Sequence, residues 1–107
     1  MNIKQIKTEE DYISELLLSK EKLVIVKFTA SWCIPCKKNE SKILELANLY
    51  KNKVFFIKVD VDESEDIIKK YKITSIPTFY FYKNNEKINE IIGLDEPRLE
   101  NYIIKFL

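Results

Sequence analysis

Cys33 and Cys36, the two cysteines of the chain, lie three positions apart in Trp32-Cys33-Ile34-Pro35-Cys36-Lys37. The run follows at once on an apolar stretch, Leu23-Val24-Ile25-Val26-Lys27-Phe28. Where a strand gives way to a helix, the helix start stabilises a thiolate at the first sulfur. A second sulfur about one turn on lies on the same face and can close a disulfide. Three chemistries compete for such a pair. The cysteines can be small buried hydrophobes with no role. They can be half of a zinc site, but four ligands are usual. The chain has no histidine and no further cysteine, so only a metal bridging two chains would complete that site. Or they can exchange dithiol for disulfide, the reading that spacing and context favour.

The elements that must position this pair are legible in outline. Residues 3–7 read as a weak first strand, and Thr8 with Asp11 resembles a capping box. It opens a helix whose apolar side includes Tyr12, Ile13, Leu16 and Leu17. Residues 23–30 are nearly continuously apolar and β-branched, as in a strand buried on both faces. A helix over about residues 33–51 carries Ile43, Leu46, Ala47 and Tyr50 as one apolar stripe. Its first turns, Lys37-Lys38-Asn39-Glu40, are polar, which brings the cysteine end to the surface. Residues 54–61 form the next strand, and Asp62, three before Glu65, caps a short helix to about Tyr71. A strand over 76–82 begins at a proline, Asn84-Asn85 turns the chain, and 87–92 returns until Gly93 breaks it. Asp95 and Pro97 start a last helix with Leu99, Tyr102, Ile103 and Phe106 in register. The order β-α-β-α-β-α-β-β-α implies an α/β fold, a central mixed sheet with helices on both faces.

Composition narrows the function. At 107 residues, without repeat or linker, the chain reads as a single domain over 1–107, and 46% hydrophobic with 33% charged residues reads as globular. A net charge of +1 argues against nucleic acid or an anionic membrane as partner. No apolar run approaches the ~20 residues of a membrane span. Met1-Asn2-Ile3-Lys4-Gln5 has no signal-peptide core, so a cytoplasmic setting is expected, or an organelle after removal of a presequence. The absence of histidine removes Ser-His-Asp and Cys-His catalysis. Two cysteines are too few for a disulfide scaffold.

Taken together the motifs resemble the thioredoxin family over essentially the whole chain. Trp32-Cys33-Ile34-Pro35-Cys36-Lys37 is similar to its active-site motif, with Ile34 in place of the usual glycine. Ser75-Ile76-Pro77-Thr78-Phe79 is similar to its cis-proline segment, Lys58-Val59-Asp60-Val61-Asp62 to the strand between, and Gly93 to a glycine facing the site. The resemblance implies a thioredoxin fold and a protein-disulfide reductase that holds no cofactor. It implies an exposed nucleophile at Cys33 and a more buried resolving Cys36. Pro35 and Ile34 would tune the dipeptide between the sulfurs, and Trp32 and Lys37 would shape the site. Pro77, if cis, would present the Ile76 backbone to an extended substrate. The implied partners are a thioredoxin reductase-type electron donor, flavin- and NADPH-linked, and disulfide-containing substrate proteins; the implied state is a monomer. Two other classes remain: a more oxidising disulfide oxidase or isomerase, and a non-catalytic docking module.

One departure bears on mechanism. The family's buried aspartate, six residues before the first cysteine, is here Lys27, and its usual ion pair with the lysine at Lys58 is lost. Lys27 alternates with Leu23 and Ile25 and so faces a helix-covered side of the sheet. The favoured expectation is that it snorkels to water and contributes its stem as packing. The sharper one places it near Cys36 with a depressed pKa, as proton acceptor when neutral or thiolate stabiliser when charged. On the sharper reading the protein is more oxidising than a typical thioredoxin. Lys27→Asp is then expected to lower the reduction potential in a glutathione titration; an unchanged or raised potential counts against it.

Overall fold

The computed structural model describes residues 3–107; Met1 and Asn2, part of the N-terminus expected to lack a leader, lie outside it. Among the described residues the chain runs β1 (Ile3–Ile6), α1 (Glu9–Leu16), a 3-10 turn (Leu17–Lys20), β2 (Leu23–Thr29), α2 (Ile34–Lys38), α3 (Glu40–Leu49), β3 (Val54–Asp60), α4 (Glu65–Tyr71), β4 (Thr78–Lys83), β5 (Glu86–Ile92) and α5 (Glu96–Phe106). The sheet order is β1-β3-β2-β4-β5. β3 is parallel to β1 and β2, whereas β4 is antiparallel to β2 and β5. The expected mixed sheet is thus present, with β2 at its centre and buried at every residue.

Strand alternation divides the core in two. Leu23, Ile25, Phe56, Phe79 and Phe81 face one side, where Ile43, Leu46 and Ala47 of α3 and Leu99 and Ile103 of α5 cover them. Val24, Val26, Phe28, Ile57, Val59 and Tyr80 face the other, under Tyr12 and Leu16 of α1 and Ile67 of α4. Of the α1 face expected from sequence, Tyr12 and Leu16 are buried but Ile13 and Leu17 are exposed; Leu17 already belongs to the 3-10 turn. No helix among the described residues is long and apolar enough to cross a membrane.

Local chemistry sets the ends. Thr8 Oγ1 accepts from Asp11 N at 3.1 Å, and Asp95 Oδ1 from Arg98 N at 3.1 Å, each capping a helix. Asn84 and Asn85 both adopt positive φ, 53° and 60°, as a two-residue hairpin turn requires. Three expectations need correction. The helix expected over 33–51 is broken at Asn39 into α2 and α3. Asp62 does not cap α4: Ser64 stands at that position, while Asp62 serves Trp32. The strand expected from residue 76 begins at Thr78, after the proline.

Ser19, buried in the 3-10 turn, donates to Leu16 O at 2.6 Å and accepts from Asn85 N at 2.7 Å. It pins the β4–β5 hairpin at the end opposite Thr78. Ser19→Ala is expected to cost about 1–2 kcal/mol in urea unfolding, because Asn85 N loses its acceptor. A loss under a few tenths would mean that the turn stands without it.

Candidate active site

β2 ends at Thr29, and Ala30 O accepts from Cys33 N at 3.2 Å in the turn that follows. Cys33 then caps α2: its Sγ accepts from Cys36 N at 3.2 Å, and its carbonyl accepts from Lys37 N. Ile34 and Pro35 occupy the first turn, where proline loses no hydrogen bond. Cys33 and Cys36 are joined as a disulfide with their Cα atoms 5.3 Å apart. The pair packs with Ala30 against half-buried Val61 and Ile76. The sulfur of Cys33 was expected to be the exposed one. In this oxidised state both residues are enclosed, Cys33 at 4% and Cys36 at 1%, because Ile76 and Val61 close over them.

The rim is apolar and open. Trp32 is 64% exposed and Ile34 66%. Trp32 is therefore not a core aromatic. Its Nε1 donates to Asp62 Oδ2 at 2.7 Å, which fixes the ring's edge. Asp62 is held in turn by its own N–H to Asp60 Oδ1, 2.8 Å. The Ile76–Pro77 bond is cis, and Pro77 O accepts from Gly93 N at 2.8 Å. Gly93 thus sits beside the proline segment, and its φ of 98° is a left-handed value that suits glycine. Lys37 is exposed in the last turn of α2.

Behind the sulfurs lies Lys27. It does not snorkel to water, as the favoured sequence reading had it; only 5% of the residue is exposed. Its Nζ donates to Cys36 O at 2.8 Å and to Asn39 Oδ1 at 2.7 Å. Burial lowers its pKa from 10.5 to about 8; Glu40 opposes that fall and Lys58 adds to it. Lys58 is its direct neighbour across the β2–β3 pair, so two lysines stand side by side on the sheet. The structure thus brings Lys27, Lys58, Cys33 and Cys36 into one neighbourhood. Sequence reasoning missed Asn39, which is 1% exposed. A signal was there: Asn39 is four residues before Ile43, so the apolar stripe of α3 runs back onto it.

A disulfide at a helix start, flanked by a cis-proline segment on a five-stranded mixed sheet, defines a thiol–disulfide oxidoreductase. Comparison with known proteins narrows the class. The thioredoxin family profile matches residues 4–105. Thioredoxin-1 of Drosophila melanogaster is 36% identical over 102 residues, covering 95% of both chains. Thioredoxin-1 of Schizosaccharomyces pombe is 39% identical over 98 residues, 92% of both. The reduced thioredoxin pre-protein of Schistosoma mansoni, a solved structure, superposes with a TM-score of 0.89 at 38% identity over all of both chains. The chain belongs to the thioredoxin family, and its cysteine pair is that of a thioredoxin-type disulfide reductase.

The lowered pKa of Lys27 carries a sign for stability. Below about pH 8 both folded and unfolded chains hold the proton and the full cost of burying the charge is present. Above 10.5 neither holds it and the cost is gone. Between these values the wild type is expected to gain about 3 kcal/mol relative to Lys27→Met, read as the difference between urea unfolding curves. Parallel pH profiles would show that the ammonium is not desolvated.

Proposed function

We propose that Cys33 is the attacking sulfur and Cys36 the resolving one in the reduction of protein disulfides. The observation that carries this assignment is local: Cys33 starts α2, Cys36 lies one turn inside it, and Lys27 Nζ donates to the Cys36 main-chain carbonyl. In the reduced protein Cys33 Sγ attacks one sulfur of a substrate disulfide, and the other leaves as a thiolate and takes a proton. Cys36 then gives up its proton and its Sγ attacks Cys33 Sγ, releasing the substrate's remaining sulfur. Two electrons pass from the cysteine pair to the substrate.

Lys27 serves the second step. With a pKa of about 8 it is mostly an ammonium at neutral pH and steadies the Cys36 thiolate; its neutral fraction accepts the proton as pH rises. A cation beside Cys36 favours the dithiol state, which supports a pair more oxidising than that of a typical thioredoxin. Ile34, Pro35 and Lys37 shape the sulfurs' immediate surroundings, and Lys58 tunes Lys27. Trp32, Ile76, Pro77 and Gly93 receive the substrate, with the Ile76 backbone offered to an extended segment.

The electrons come from a thioredoxin reductase-type donor, so the protein works in electron transport and cell redox homeostasis. Both cysteines go to exchange and neither staples the fold, a usage that fits a reducing, cytoplasmic compartment. It acts as a monomer. Against a docking module stands the intact, joined cysteine pair.

Cys36→Ser is expected to accumulate a mixed disulfide with a disulfide-bonded substrate such as insulin, and Cys33→Ser to form none. Iodoacetamide at neutral pH is expected to label Cys33 first in the reduced protein. Equal trapping by the two variants, or preferential labelling of Cys36, would reverse or remove the assignment.

A further inference from the structure

Lys27 Nζ donates to the Cys36 main-chain carbonyl and also lines a second space. A cavity of about 240 Å³ lies on the side of the sheet that α3 covers, lined by Lys27, Thr29, Glu40, Lys58 and apolar residues that include Ile43 and Phe56. That volume holds several waters, and its polar lining gives them partners. Cys36 does not line it, nor does Asn39. Lys27 therefore lies between the main chain of the cysteine-bearing helix and the cavity. The charged groups facing the cavity are Lys27 from β2, Lys58 from β3 and Glu40 from α3. Beside Lys27 on β4 stands Phe79, which cannot titrate. Glu40 is thus the sole carboxylate among the residues that line the cavity. It is the first residue of α3, directly after the helix break, and it is exposed.

The geometry points to Glu40 as a positioning residue for the disulfide chemistry: facing Lys27 across the cavity, its carboxylate sets how firmly Lys27 holds a proton and passes that proton between Lys27 Nζ and solvent. This rests on the reading that Lys27 serves Cys36. The proton balance is simple. When Cys36 Sγ attacks Cys33 Sγ, the proton lost by Cys36 goes to neutral Lys27. It then leaves through the cavity past Glu40, and the departing substrate thiolate takes one from water. When the protein is reduced again, the flow reverses. The direction of the effect follows from charge. Glu40 raises the pKa of Lys27 and Lys58 lowers it, so removing the carboxylate leaves the lysines opposed by nothing in the cavity.

The test is the rate at which the reduced protein is oxidised by a small disulfide, followed through Trp32, the chain's single tryptophan, from about pH 6 to 10. Four proteins are compared: wild type, Lys27→Met, Glu40→Gln and the double variant. The inflection that Lys27→Met removes is the one due to Lys27. Glu40→Gln is expected to move that inflection down by on the order of half a unit, and to move nothing in the Lys27→Met background. Glu40→Asp, which keeps the charge, is expected to restore much of the wild-type profile. An inflection that stays put in Glu40→Gln, or that moves equally in both backgrounds, overturns the proposal for Glu40 and leaves that for Lys27 standing. If Lys27→Met removes no inflection, the reading of Lys27 fails and this one with it. Glu40 is exposed at a helix start, so its variants are expected to fold, and circular dichroism checks that they do.

Discussion

A lysine ammonium held on the inner side of a sheet must be solvated by the protein, and the active-site end of this fold is arranged around that demand. β2 is buried at all of its residues, so Lys27 cannot reach water along the strand. It finds two acceptors instead, Cys36 O and Asn39 Oδ1. A continuous helix would direct the Cys36 carbonyl at the N–H of residue 40. The break at Asn39 accompanies a different arrangement, in which that carbonyl and the Asn39 side chain both meet the lysine. The same break places Glu40 at the start of α3, on the wall of the cavity that Lys27 also lines. One charge thus ties the central strand, the cysteine-bearing helix and the cavity together.

The energetic weight of this arrangement is large for one residue. A pKa moved from 10.5 to about 8 corresponds to about 3 kcal/mol of disfavoured charge, against total stabilities of about 5–15 kcal/mol for domains of this kind. The two apolar layers offset it. Phe56, Phe79 and Phe81 on one face and Tyr12 and Phe28 on the other are fully enclosed, and each such side chain contributes on the order of 2–3 kcal/mol. The cost also falls at the cysteines, where it bears on chemistry. A cation that solvent stabilises poorly gains from an anion nearby, and Glu40 is the carboxylate that raises the pKa of Lys27.

Much of this was legible in the residue order. The alternation of β2, the stripe of α3 and the caps at Thr8 and Asp95 are local signals, and the structure follows them. So is the Cys33–Cys36 spacing, which one helical turn brings within bonding reach. What could not be read depends on contacts made across the chain. Asn39 has no proline beside it and breaks the helix in company with a lysine 12 positions earlier. Asp62 satisfies the local pattern of a cap, yet Trp32 Nε1, 30 positions away, takes its carboxylate and Ser64 takes the helix start. Lys27 was read as snorkelling because a long side chain usually reaches water. Here the α2–α3 junction supplies acceptors closer than solvent. The enclosure of Cys33 has the same origin, since Val61 and Ile76 come from two separate loops.

The two sides of the cysteine pair divide the work between them. In front, Trp32 and Ile34 are open to solvent, and Ile92 at 62% and Leu94 at 41% flank Gly93 beside the proline segment. Apolar side chains at that exposure are not explained by packing against the core. They carry no charge and act on a sulfur only by covering it from water. Behind, Lys27, Lys58 and Glu40 carry charge and line the cavity on the side of the sheet that α3 covers. Exposed apolar residues and charged residues thus stand on opposite sides of the cysteine pair. Lys27 belongs to the second set: it carries its charge behind the cysteine pair, away from the exposed apolar residues in front.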